Sequence, residues 1–76
     1  MKTESAVLTF LLSIHPVQVT VAEVARELVG EDASFLERDA TDRAAKSLSG
    51  FGLIHLHRNL LSPTRAALRA KELFDL

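Results

Sequence analysis

The chain has 76 residues, 47% of them hydrophobic, nine basic residues against ten acidic ones, a formal charge of −1 and no cysteine. This length implies one thin-cored domain over residues 1–76, burying roughly 60% of the unfolded surface. It carries no disulfide and no thiolate metal site, and its charge balance excludes strong indiscriminate attraction to phosphate. No apolar run reaches the ~18–20 residues of a membrane span. The start, Met1-Lys2-Thr3-Glu4, is mixed in charge, and polar Thr9 and Ser13 interrupt the apolar stretch after it. A secretory leader is therefore not expected, and a cytoplasmic location is.

The spacing predicts a first helix over residues 5–14, with Val7, Phe10, Leu11 and Ile14 on one face. Leu8 and Leu12 fall on a neighbouring face. The helix is thus apolar over more than one stripe, explained either by deep burial or by a second subunit against Leu8 and Leu12. Proline disfavours helix in the residue before it, so His15-Pro16 ends the element. Val17, Gln18 and Val19 suit a short extended segment.

Thr20 followed by Glu23 has capping-box spacing and opens a second helix. Val21, Val24, Ala25 and Leu28 form its apolar face, and Gly30 is placed to end it as a left-handed cap. Residues 31–37 are expected to be a loop or loose helical turn that carries Phe35 and Leu36 into the core. The third helix then spans about 38–49, with Asp39 as a good N-cap. A competing start exists: Ser34 and Glu37 form a second capping-box pair. Leu36, Ala40, Ala44 and Leu48 keep a spacing of four that favours one longer helix.

Gly50-Phe51-Gly52 breaks the helical pattern, and alternation begins after it. Ile54, Leu56 and Leu61 are expected inward; His55, His57 and Ser62 outward. Arg58-Asn59 reads as a two-residue hairpin turn, since Asn tolerates positive φ, and Leu60 is left exposed near the tip. Thr64 caps a last helix from Arg65 to about Phe74. Ala66, Ala67 and Ala70 allow close packing there, and Leu68, Leu73 and Phe74 supply bulk.

In this order the elements are helix, short strand, helix, helix, hairpin, helix. With Ala25, Leu48, Gly52-Leu53-Ile54 and Ser62-Pro63-Thr64-Arg65-Ala66 as landmarks, the chain resembles the winged helix-turn-helix superfamily of prokaryotic transcription regulators. It looks most like small stand-alone members without an effector domain. The resemblance covers nearly the whole chain and implies an α+β, mostly α fold: a three-helix core, a short two- to three-stranded antiparallel wing and a C-terminal helix. The segment from Ala25 to Gly52 is longer than in compact members, and the wing is very short.

The resemblance also implies double-stranded DNA as partner, with the third helix in the major groove and the wing on the backbone. The matching positions are Arg38, Thr41, Asp42, Arg43 and Lys46 on the third helix and Arg58 on the wing. Arg reads guanine bidentately and Thr contacts a base edge or methyl, whereas Lys46 and Arg58 suit phosphates. Glu37, Asp39 and Asp42 share that helix. Residues 37–58 hold four basic and three acidic residues, net +1, and residues 23–32 one basic and four acidic, net −3.

His55 and His57 are too few for a metal site. No nucleophile–base pair, phosphate loop or carboxylate pair has catalytic spacing, so neither enzyme activity nor a cofactor is expected. The expected function is a sequence-specific DNA-binding regulator, dimeric through Leu8, Leu12, Leu73 and Phe74. The alternative is a winged-helix module that binds protein.

Overall fold

The computed structural model describes residues 2–31 and 34–74. Among these residues, four helices and a three-stranded antiparallel sheet make an α+β, mostly helical domain. The elements are α1 (Lys2–Ile14), β1 (Val19–Thr20), α2 (Val21–Val29), α3 (Phe35–Gly50), β2 (Ile54–His57), β3 (Leu60–Pro63) and α4 (Arg65–Phe74). Among the described residues, no helix is long and apolar enough to cross a membrane.

The apolar periodicity of α1 decides its packing. Val7 and Leu11 are completely buried, and Phe10 and Ile14 pack around them half-covered. Burying one such side chain contributes about 1.5–3 kcal/mol. Leu12, expected at a subunit interface, is also buried, at 6% exposure. The cause is α4, whose Leu68 and Lys71 line a groove together with Leu12. Leu8 is half-buried against the same core. The second apolar face of α1 is therefore largely satisfied within one chain.

In the sheet β3 is central, between β1 and β2. Leu61 lies opposite Val19 on one side and Leu56 on the other. It is wholly buried, so one leucine joins all three strands to the helices. Ile54 is buried, Leu56 is half-buried, and His55 and His57 are exposed, as the alternation requires. Arg58 and Asn59 have φ of 52° and 66° and form the tight turn between β2 and β3.

The second helix has the capping box expected of it. Glu23 N–H donates to Thr20 Oγ1 at 3.1 Å, and Thr20 N–H donates to Glu23 Oε1 at 3.0 Å. At the other end Gly30 has φ 109° and ψ 171°. That conformation is essentially restricted to glycine, but it is extended, not the left-handed helical cap anticipated. Val24 and Ala25 are buried, while Leu28 at 37% is only partly covered.

The third helix starts earlier than expected, at Phe35 and not near Arg38. Ser34 is its N-cap, in a second reciprocal capping box with Glu37. This settles two backbone donors of the first turn and makes an extra turn of helix favourable. The consequence for packing is large. Phe35 and Leu36, expected in the core, are 77% and 75% exposed. At the far end of the chain, Leu73 and Phe74 are exposed too, and α4 packs through buried Ala67 and half-buried Leu68.

Candidate nucleic-acid interface

The position of α3 follows from its small buried side. Thr41, Ala44, Ala45 and Leu48 recur at three- and four-residue spacing and are all buried. Two alanines in that stripe permit close approach to α1 and α2. The opposite side of the helix carries Asp39, Asp42, Arg43 and Lys46, which is how a helix of this period divides core from solvent.

Of the six side chains singled out by resemblance, five remain open to solvent in whole or part. Thr41 does not. It is 1% exposed, and its hydroxyl donates to the Glu37 carbonyl at 3.1 Å. Thr41 shares the stripe of Ala44, Ala45 and Leu48 that faces the core, so it cannot reach a base edge. Arg43 Nε pairs with Asp39 Oδ2 at 3.1 Å, and Lys46 Nζ pairs with Asp42 Oδ2 at 3.0 Å. Each has the acidic partner four residues N-terminal, the favourable orientation on a helix. Both pairs are solvated, so each contributes only about 0.3–0.5 kcal/mol. Two cations and two anions thus alternate on this side and cancel.

Arg38 and Arg58 are exposed, and among the described residues neither makes an ion pair within 4 Å. Arg58 owes its place to the turn. The Asn59 carbonyl accepts from the Val21 N–H at 3.3 Å, which ties the hairpin tip to the first residue of α2. The tip is short and anchored, and Arg58 stands on it beside a helix N-terminus, where anions are favoured. Glu23, in the same turn of α2, has its carboxyl held below the usual range, first by the Thr20 N–H and then by the Thr20 hydroxyl.

The base of the hairpin is fixed at the other end of α3. The Thr64 hydroxyl donates to the Gly52 carbonyl at 2.8 Å and its oxygen accepts from Ala67 N–H at 3.2 Å. Gly52 has φ 78°, where a side chain is strained. One threonine therefore joins the turn after α3 to the start of α4.

Sequence reasoning placed Phe74 at a surface but missed the exposure of Phe35 and Phe51, at the two ends of α3. Three of the four phenylalanines, Phe35, Phe51 and Phe74, are more than 70% exposed. The Ser34–Glu37 spacing was the available signal for Phe35, because a helix starting there turns it outward. A shallow groove nearby is lined by Thr3, Ala6, Leu28, Val29, Glu37, Ala40 and Thr41. Among the described residues, no group of three or more His, Asp or Glu side chains is placed to hold a metal.

Compared with protein-family models, with curated proteins and with solved structures, the chain matches none.

Proposed function

We propose that this chain is a winged helix-turn-helix domain that binds duplex DNA as a homodimer and serves as a transcriptional regulator in the cytoplasm. In this reading α3 enters the major groove and Arg58 meets the backbone. Element order and the central place of β3 support the fold assignment. The observation that carries the function is the grouping of exposed Arg38, Arg43 and Lys46 on α3, with Arg58 on a hairpin turn tied to the start of α2. The ion pairs to Asp39 and Asp42 do not oppose it strongly. They are weak enough for a phosphate or a guanine to displace them.

A specific observation favours a second reading, in which the module binds protein. Phe35 and Leu36 stand side by side, both at least 75% exposed, at the start of α3. Aromatic side chains of this kind are enriched where proteins meet.

Selection from a random duplex pool by the purified protein separates the two. The DNA reading expects one enriched sequence, bound below the micromolar range at low salt. It further expects that Arg43→Ala relaxes base preference at a cost of about 1–3 kcal/mol, while Arg58→Ala weakens selected and scrambled duplexes alike. Absence of any submicromolar duplex transfers the conclusion to the protein-binding reading.

A further inference from the structure

Among the residues whose burial is described, the outer side of α1 carries no charge from Ser5 to Ile14. Beyond Glu4, the exposed residues of this helix are Ser5, Ala6, Thr9 and Ser13. Charged residues are depleted at the centres of interfaces, and small ones let two helices approach closely. This stripe joins two grooves. Ala6 lies in the one walled by Leu28, Val29 and Ala40. Ser13 lies in the other, between α1 and the second half of α4. Along the helix axis they are about 10 Å apart, with Thr9 near the midpoint.

The end of α4 is the second observation. Buried Ala67 and half-buried Ala70 and Lys71 define the side of α4 that faces the body. Phe74 continues that line one turn further but is 71% exposed, with Leu73 at 60% beside it. Among the described residues, nothing covers this last turn of α4. An apolar overhang lies at the Ser13 end of α1, and an apolar groove lies at the Ala6 end.

We propose that two copies of this chain pair through antiparallel α1 helices, with the two-fold axis near Thr9. Each copy lays Leu73 and Phe74 over the partner copy's groove at Leu28 and Val29. A two-fold axis across α1 exchanges its ends, so both overhangs meet both grooves at once, as an isologous interface requires. α4 as a whole is positive, with three basic residues and one acidic, and its last turn holds Lys71 together with Glu72, which Arg69 pairs. Among the described residues, the one charge in the receiving groove is Glu37. A stable interface takes roughly 800 Å² from each partner, a modest share of the 5288 Å² this chain exposes. The interface rests on the dimeric state proposed above and not on duplex binding.

Sedimentation equilibrium without DNA, across a micromolar concentration range, tests it. Wild type is expected at twice the 8.3 kDa chain mass. Thr9→Arg puts a charge on the axis at a position exposed in the monomer, and Phe74→Asp removes the overhang. Each is expected to raise the dimer Kd at least roughly tenfold, the effect of losing about 1.4 kcal/mol, with unchanged far-ultraviolet dichroism. Thr9→Cys, in a chain with no other cysteine, is expected to form a disulfide-linked dimer under mild oxidation. A wild type that stays monomeric, or a dimer that survives either substitution unweakened, overturns the interface. A monomer that still binds its selected duplex sinks the interface and the dimeric state but leaves duplex binding; a dimer that binds no duplex sinks the DNA reading alone.

Discussion

Ser34 and Glu37 hold each other across the first turn of α3: the Glu37 N–H donates to Ser34 Oγ at 3.1 Å, and the Ser34 N–H reaches Glu37 Oε1 at 3.5 Å. The helix begins where it does because of this pair, and its early start turns Phe35 and Leu36 to solvent. Ser34→Ala is expected to cost about 1 kcal/mol, lowering Tm by about 4–8 °C for a domain of this size. Amide exchange should accelerate at 35–38 and not beyond Ala44. Uniform acceleration along α3 would show that the cap does not act locally.

Thr41 was a candidate base reader and is instead a core residue. Thr41→Val keeps its shape and loses one intrahelical hydrogen bond, so stability should change by less than about 1 kcal/mol. Affinity for a selected duplex should be unchanged. A tenfold loss of affinity in a protein of wild-type Tm would return Thr41 to the contact surface.

Asn59 sits at φ 66° in the hairpin turn. A β-branched residue is strained there by about 1–2 kcal/mol, so Asn59→Val should destabilise by that amount, while Asn59→Gly should be tolerated. Urea unfolding of the two variants makes the comparison. Equal midpoints would mean that the turn relaxes out of the left-handed region.

The Thr20–Glu23 capping box predicts a pH dependence. Its hydrogen bonds hold the Glu23 carboxyl below the ordinary glutamate range. A depressed carboxyl contributes stability above its unfolded pKa and loses it as pH falls through the folded one. The stability gap between wild type and Thr20→Ala should therefore be full at neutral pH and narrow as pH drops below the unfolded glutamate value of about 4.3. Thermal melts of both proteins across that window check the sign; a gap that widens in acid contradicts it.

Duplex affinity should depend only moderately on salt. If about three of Arg38, Arg43, Lys46 and Arg58 meet phosphates in each subunit, a dimer neutralises about six. The slope of log affinity against log salt is then near −5, at about −0.9 per phosphate. Asp39 and Asp42 should make it shallower. Removing them together, as Asp39→Asn with Asp42→Asn, should steepen the slope and raise affinity for scrambled DNA more than for selected DNA. Fluorescence titrations at several salt concentrations read this directly.

Much of the fold was legible in the residues. The Arg58-Asn59 turn, the inward alternation of Ile54 and Leu61, and the Thr20–Glu23 cap are local: each depends on residues within a few positions of one another. The spacing of Val7 and Leu11 marked the buried face of α1 for the same reason. Three facts needed the folded chain. Leu12 is covered by α4, which arrives from more than fifty residues further along. Thr41 is buried because the stripe it shares with Ala44, Ala45 and Leu48 is the one that α1 and α2 cover. Arg58 stands beside α2 because the Asn59 carbonyl reaches Val21. Local chemistry thus decided where helices and turns form. Which face each presents, and hence which charges stay available to a partner, was decided by long-range packing that no short stretch of sequence contains.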